Sequence, residues 1–172
     1  MSGYSDASLE RKLVDLNASA QSIQQLSLWL IHHRKHYHAI VKSWFKELGK
    51  TPTNKKLTYL YLANDVVQNS KKKHPEIAKE FGNVMVKVIQ HLAYVKDLDG
   101  KTVKAVSRLL GIWQDRNIFE SKVQAEMSKI WTAKTLESSS EDSSAKPPPA
   151  KRAKSDGKTN MTIFWTSMWF FF

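Results

Sequence analysis

The segment YLYLANDVVQNSKKK, residues 59–73, indicates the fold class of this chain. On a helical wheel its apolar side chains occupy one arc, and its polar side chains form a single stripe opposite. The apolar arc contains Tyr59, Leu60, Leu62, Ala63, Val66 and Val67. The polar stripe contains Tyr61, Asn64, Asp65, Gln68, Asn69 and Lys72. The pattern predicts a helix that buries one face and exposes the other as a hydrogen-bonding surface.

Helical periodicity continues on both sides of this segment, over about residues 5–135. Gly49 and Pro75 lie where helices are expected to end or begin, Ser19 is a candidate N-cap, and Gly82 is a candidate break. No segment shows the two-residue alternation that is typical of a strand. We therefore predict an all-α domain in which seven or eight helices with short connections stack as an array.

The distribution of charge narrows the classes of partner. The chain has 172 residues, enough for one domain and a tail, and a formal net charge of +11. Residues 1–135 carry 22 Lys and Arg against 12 Asp and Glu, so a net charge of +10 lies in the predicted domain. Such a surface attracts phosphate, whether in nucleic acid, in an anionic membrane or in a phosphorylated protein. Charge alone does not choose among these.

Several classes of protein are disfavoured by the sequence. The chain has no cysteine, which excludes a disulfide framework and cysteine-based zinc sites. The N-terminus lacks the apolar core of a signal peptide, and no apolar run reaches the roughly 18 residues that span a bilayer, so we expect no membrane association. His32 and His36 share a helical spacing but have no third ligand, so we predict neither a metal nor another cofactor. The sequence has no phosphate-binding loop and no nucleophile motif, so we predict that the protein is not an enzyme.

The composition changes after residue 135. Residues 136–160 have few large apolar side chains and are predicted to be a disordered tail rich in Ser, Pro and Lys. Within it, PPPAKRAKSD is typical of a nuclear localisation signal carried by Lys151, Arg152 and Lys154, the alternative being an ordinary solvated charge run. The apolar residues 161–172, MTIFWTSMWFFF, are too short to span a membrane. We interpret them as an atypical, alternative terminus.

A second informative segment is VSRLLGIWQDR, residues 106–116. Its apolar face consists of Val106, Leu109, Leu110 and Trp113. Arg108 and Arg116 lie eight residues apart, which is about 80° around a helix. Because a guanidinium group makes paired hydrogen bonds to phosphate oxygens and stays charged, both are candidate phosphate ligands. The alternative is that each arginine pairs with a carboxylate of the same protein, such as Asp115, Glu120 or Asp65.

The chain resembles the CTD-interacting domain, the helical module that binds the repeated tail of the largest RNA polymerase II subunit. Three segments in the same order carry the resemblance: SAQSIQQLSLWLIHHRK, LTYLYLANDVVQNSKKK and VSRLLGIWQDRNIFE. It covers about residues 4–135 and looks most like the regulation of nuclear pre-mRNA domain-containing proteins. The resemblance implies about eight helices in a right-handed superhelix, an outline shared with VHS and ENTH domains, and a groove for an extended heptad peptide. It also implies a nuclear, non-catalytic protein that takes part in transcription regulation, termination or pre-mRNA processing.

The same resemblance assigns roles to individual residues. Asp65 would accept a hydrogen bond from the turn of the heptad, Arg108 would bind a phosphate on the serine at heptad position two, and Arg116 would assist. The phosphopeptide site implied in this way comprises Tyr61, Asn64, Asp65, Asn69, Arg108 and Arg116. The remaining residues assigned to the groove are Gln21, Ser22, Ile23, Gln68 and Lys72.

Relatives of this kind continue into a coiled coil, whereas residues 136–172 contain no heptads of coiled-coil type. We therefore expect a short, monomeric form whose partner is the phosphorylated tail of RNA polymerase II. Two other functions stay open. A basic helical protein that binds RNA would lose affinity steeply with salt, and weak RNA contact is compatible with peptide binding. A vesicle-sorting adaptor of similar fold would act at membranes, and the basic cluster of the tail argues instead for the nucleus.

Overall fold

The computed structural model describes residues 3–96 and 98–141. In this part the chain forms seven α-helices, one short 3-10 turn and no strand. The helices are α1 (Asp6–Asp15), α2 (Ala20–His32), α3 (Tyr37–Lys50), α4 (Thr53–Ser70), α5 (Pro75–Ala93), α6 (Gly100–Asp115) and α7 (Ser121–Glu141), and the turn is Arg34–His36. The predicted all-α array is confirmed, with seven α-helices in the described part rather than about eight.

Local chemistry accounts for where several of the helices begin. At the start of α2, the hydroxyl oxygen of Ser19 accepts a hydrogen bond from the N–H of Ser22 at 3.2 Å, which confirms the predicted N-cap. At the start of α6, a carboxylate oxygen of Asp99 accepts from the N–H of Thr102 at 3.0 Å. Pro75 opens α5, where it has no N–H to leave unsatisfied.

Helix α4 is the centre of the domain, since it packs against α2, α3, α5 and α6. From α3, Nε1 of Trp44 donates to the carbonyl oxygen of Tyr59 at 3.1 Å. The hydroxyl of Tyr59 donates to the carbonyl oxygen of Leu13 in α1 at 2.7 Å. The Trp44 ring also meets Phe81 of α5 edge-on, with centroids 5.1 Å apart. These fully buried side chains tie α1, α3 and α5 together around α4.

The packing around α4 shows that one prediction was wrong. The helical wheel puts Asn64 and Asp65 on an exposed face, whereas their side chains are only 5% and 3% exposed. Helices α2 and α6 both contact α4, so neighbouring helices bury part of the polar stripe as well as the apolar arc. Lys72 also differs from the prediction. Helix α4 ends at Ser70, and Lys72 therefore lies in the following turn instead of on the helical stripe.

Helix α5 is unbroken through Gly82, contrary to the expected break. A Cβ atom on Gly82 would lie 3.3 Å from Cδ1 of Phe119, in the connection between α6 and α7. The Phe119 ring in turn packs edge-on against Trp113 of α6, with centroids 5.2 Å apart. Glycine in a helix interior costs about 1 kcal/mol relative to alanine. Here it allows the connection to pack closely against α5.

The end of α6 is a Schellman motif, which determines how Arg116 leaves the helix. Asn117 has a φ of 49°, in the left-handed region that asparagine tolerates better than most residues. The N–H of Ile118 donates to the carbonyl oxygen of Trp113 at 2.9 Å. The N–H of Asn117 donates to the carbonyl oxygen of Gln114 at 3.0 Å. Both hydrogen bonds close the last turn, and Arg116 is its C-cap residue.

The last helix extends beyond the predicted domain boundary. One compact unit ends at Thr135 and a second begins at Leu136, while α7 is helical as far as Glu141. Residues 136–141 are therefore helical, although they were predicted to belong to a disordered tail. The reason is that a helix, once nucleated, gains one hydrogen bond for each further residue that it fixes.

Several features predicted for the tail lie outside the described residues. These are the localisation signal at Lys151, Arg152 and Lys154 and the apolar terminus 161–172. Within the described residues, no helix combines the length and the apolar character needed to cross a bilayer.

Candidate functional site

Helices α4 and α6 bring together most of the side chains that were predicted to bind a ligand. We refer to them as the α4–α6 cluster, which consists of Tyr61, Asn64, Asp65, Gln68, Asn69, Arg108 and Arg116. Two direct hydrogen bonds and one electrostatic interaction join the helices at this place. The cluster therefore combines a buried polar part on α4 with two arginines from α6.

A chain of hydrogen bonds runs through the α4–α6 cluster from the core to the surface. Nε1 of Trp113, which is fully buried, donates to Oδ1 of Asn64 at 2.9 Å. Nε2 of Gln68 donates to the same Asn64 oxygen at 2.8 Å. Oε1 of Gln68 then accepts from Nη1 of exposed Arg116 at 2.6 Å. The side-chain oxygen of Asn64 therefore already accepts two hydrogen bonds from within the protein.

Asp65 is a buried carboxylate with spare acceptor capacity. Nδ2 of Asn69 donates to its Oδ2 at 2.9 Å. Burial raises the pKa of Asp65, and the nearby polar side chains of Ser27 and Asn69 oppose this shift. The Ser27 hydroxyl oxygen is buried and makes no hydrogen bond of ordinary geometry, although it lies close enough to affect the carboxylate. A carboxylate accepts about four hydrogen bonds, so Asp65 has acceptor capacity that the bond from Asn69 does not use.

Arg108 supplies exposed positive charge beside this buried carboxylate's helix. Burial raises the pKa of Tyr61, and the charge of Arg108 opposes the shift, so the two side chains are electrostatically coupled. Among the residues that the structure describes, the Arg108 guanidinium has no hydrogen bond and no ion pair. The alternative of pairing with Asp115, Glu120 or Asp65 is therefore not what the structure shows for Arg108.

The start of α2 offers less of a second wall than the resemblance implies. Gln21 is exposed. Ser22 is half-buried, and its hydroxyl oxygen accepts a hydrogen bond from the N–H of Asn17 at 3.2 Å. Ile23 is fully buried, because the apolar face of α2 packs against α4. Its side chain is a core residue and is not available to line a groove, and Lys72 is exposed in the turn after α4.

The sequence analysis did not identify two residues that contribute to the α4–α6 cluster. Ser27 on α2 is one, since a lone serine within an apolar helix face carries no pattern. Lys71 is the other: its Nζ donates to the carbonyl oxygen of Arg116 at 3.0 Å and to that of Asn117. Lys71 and Arg116 are 45 residues apart in sequence, so no local periodicity relates them. These bonds tie the end of α4 to the end of α6.

The arrangement offers groups of the kind that bind a ligand. A buried acceptor on α4 and an exposed guanidinium on α6 match a ligand that carries both hydrogen-bond donors and a phosphate. In the described part of the chain, no group of three or more His, Cys, Asp or Glu residues lies close enough together to hold a metal ion.

Comparisons with known proteins give a consistent picture. The family model described as CID domain matches residues 7–127. Regulation of nuclear pre-mRNA domain-containing protein 1A from Homo sapiens is 50% identical over 123 residues, which are 72% of this chain and 39% of that protein. Protein 1B of the same name from Homo sapiens is 52% identical over 119 residues, 69% of this chain and 36% of that protein. The chain thus spans about two fifths of the length of these curated relatives.

Among solved structures, the chain is similar to the CTD-interacting domain (CID) of Seb1 from S. pombe. The TM-score is 0.66, and the match covers 77% of this chain and 98% of that one. The sequences are 16% identical, so this likeness shows the fold alone.

Proposed function

Because this chain belongs to the CID domain family, we propose that it binds the heptad-repeat tail of the largest RNA polymerase II subunit and prefers heptads phosphorylated on the serine at position two. The observation that carries the proposal is the exposed Arg108, which has no hydrogen bond or ion pair among the described residues and interacts electrostatically with Tyr61 of α4, the helix that also holds the buried acceptor Asp65. In this proposal the protein is a non-catalytic binding module.

The peptide part of the ligand would be read by α4. An extended peptide loses water when it enters a groove, and its backbone and hydroxyl donors then need acceptors. Asp65 has acceptor capacity beyond its 2.9 Å hydrogen bond from Asn69. Being buried, it is held in one place by the packing of α2 and α4. Preorganisation of this kind lowers the cost of binding.

The phosphate would be read by Arg108. A hydrogen bond between an arginine and a charged acceptor is worth about 1.5 to 3 kcal/mol. That corresponds to about ten- to a hundredfold in affinity, which is enough to distinguish a phosphorylated from an unmodified heptad. Phosphate binding alone does not read sequence, so the tyrosine and prolines of the heptad would supply the rest through shape.

The names of the relatives support a role in the nucleus. Both human proteins are named for the regulation of nuclear pre-mRNA. We therefore place the proposed binding in the nucleus, in transcription regulation, termination or pre-mRNA processing. RNA is a second candidate ligand, favoured by the net charge of +10 on residues 1–135 (22 basic against 12 acidic side chains).

Fluorescence anisotropy of the whole chain with a two-heptad peptide tests the proposal. The peptide is used unmodified and phosphorylated at position two, over a series of salt concentrations. We expect clear preference for the phosphopeptide that survives moderate salt. Equal, weak and salt-labile binding of both peptides contradicts the proposal. If a single-stranded RNA probe is bound in the same way, the result indicates general attraction to phosphate.

Asp65→Asn is expected to weaken the binding of both peptides alike, by about three- to thirtyfold, because it removes a charged acceptor and not a phosphate ligand.

The same substitution should also change the pH dependence of stability. The raised pKa of Asp65 means that the folded state binds its proton more tightly than the unfolded state. The free energy of unfolding therefore falls as pH rises from the ordinary pKa through the raised one. Asparagine has no such titration.

Urea unfolding between about pH 4 and pH 8 measures this difference, with Asp15→Asn as the matched control because Asp15 is an exposed carboxylate on α1. The Asp65→Asn variant should lose less stability than the original protein on going from acid to neutral pH. Parallel pH profiles for the two proteins, or weakening of the phosphopeptide alone, would contradict the assigned role.

A further inference from the structure

We propose that Gln68 is a positioning residue for Arg116, holding its guanidinium ready for a phosphorylated ligand instead of contacting the peptide itself. This inference rests on the proposed function and extends it, since the resemblance assigned Gln68 only to the groove wall. It is carried by the hydrogen-bond chain from Trp113 through Asn64 and Gln68 to Arg116.

The orientation of both amides in this chain is fixed by chemistry. An indole N–H only donates, so the Asn64 atom 2.9 Å from Nε1 of Trp113 is the carbonyl oxygen. The Gln68 atom 2.8 Å from that oxygen must then be its NH₂ group. This leaves Oε1 of Gln68 to face Arg116 at 2.6 Å. A guanidinium also only donates, so the chain is consistent from either end.

One end of this hydrogen-bond chain lies in the core, and the other end lies at the surface. Trp113 is fully buried and Asn64 is 5% exposed, whereas Gln68 is half-buried and Arg116 is exposed. Successive hydrogen bonds thus connect a surface arginine to an indole whose position is fixed by the core. A long side chain that would otherwise sample several rotamers is held in one region before any ligand arrives.

The backbone of Arg116 is held by separate contacts. Nζ of Lys71 donates to the Arg116 carbonyl oxygen at 3.0 Å and also to that of Asn117. The hydrogen bond from the N–H of Ile118 to Trp113 closes the turn in which Arg116 is the C-cap. Removal of the Gln68 amide should therefore remove one constraint on the side chain of Arg116 and leave its backbone in place.

The bond from Arg116 to Gln68 uses Nη1 of the guanidinium, a group that carries five N–H donors. The bond is to a neutral amide, so it orients Arg116 without cancelling its charge. A carboxylate at the same position would orient the arginine equally well but would neutralise it. A neutral acceptor at residue 68 therefore suits a phosphate-binding role better than an acidic one would.

The test uses the whole chain and two substitutions. Gln68→Met keeps the length of the side chain and removes both hydrogen bonds. We expect it to lower affinity for the phosphorylated two-heptad peptide by about two- to tenfold, the effect of ordering one long side chain on binding. Affinity for the unmodified peptide should fall less than affinity for the phosphopeptide, and the circular dichroism spectrum should change little.

Gln68→Glu is the second variant. It keeps an acceptor for Arg116 but places a negative charge beside the phosphate and an oxygen against Oδ1 of Asn64. We expect a larger loss of phosphopeptide affinity than for Gln68→Met. Gln114→Met is the matched control, because Gln114 is exposed on α6 and lies two residues, or about 200°, from Arg116.

A double-mutant cycle with Arg116→Ala decides the matter. If Gln68 acts through Arg116, then Gln68→Met has no further effect on the phosphopeptide once Arg116 is alanine. Independent, additive losses would overturn the inference and leave the proposed function standing. Equal binding of both peptides by the original protein would instead overturn the proposed function, and the positioning role with it.

Discussion

Arg108→Ala is expected to lower affinity for the heptad phosphorylated at position two by about ten- to a hundredfold, with little change for the unmodified peptide. The side chain is exposed and, within the described residues, has no hydrogen bond or ion pair of its own. Its loss therefore removes the proposed phosphate ligand without leaving a buried group unpaired. A surface arginine of this kind adds little to stability, so the melting temperature should stay nearly constant.

Isothermal titration calorimetry with both peptides measures the preference directly. Arg108→Lys keeps the positive charge and loses the paired donors, so an intermediate loss is expected. Arg11→Ala removes one positive charge from exposed Arg11 of α1 and serves as the control for net charge. An Arg108→Ala variant that still prefers the phosphopeptide as strongly as before would remove Arg108 from the site.

Trp113→Ala is expected to lower the free energy of unfolding by about 3 to 5 kcal/mol, the usual cost of truncating a large core aromatic residue. The side chain is fully buried, and its ring packs edge-on against Phe119 at 5.2 Å. Its Nε1 also donates to Asn64, the first member of the chain that ends at Arg116. Since domains are stable by only about 5 to 15 kcal/mol, this is a large fraction of the total.

Urea unfolding followed by far-UV circular dichroism measures the loss. Trp113→Phe separates the two contributions, because it keeps an aromatic ring but removes the indole donor. We expect it to cost about 1 to 2 kcal/mol, since Asn64 retains the hydrogen bond from Gln68. Comparable stability of Trp113→Ala and the original protein would mean that α4 and α6 are not held together through this residue.

The sequence was a good guide to whatever depends on neighbours within one turn. The helix around Leu60 and Val67 follows from side chains spaced three and four residues apart, and the N-cap at Ser19 follows from one hydroxyl beside a helix start. The exposure of Arg108 on α6 also agrees with the wheel. Helix ends were less well predicted. The expected break at Gly82 is absent. Glycine at this position leaves space for the ring of Phe119, which is distant in sequence.

Periodicity along one helix shows which residues share a face. It was enough to single out the polar side chains of α4 and the arginines of α6. It does not say how many neighbours cover that helix. Asn64 and Asp65 are buried because α2 and α6 both pack against α4, and Ile23 is in the core for the same kind of reason. The bond between Gln68 and Arg116 joins side chains 48 positions apart. Such contacts form when helices dock and bury apolar surface together, and the tertiary packing therefore sets which polar groups are left for a ligand.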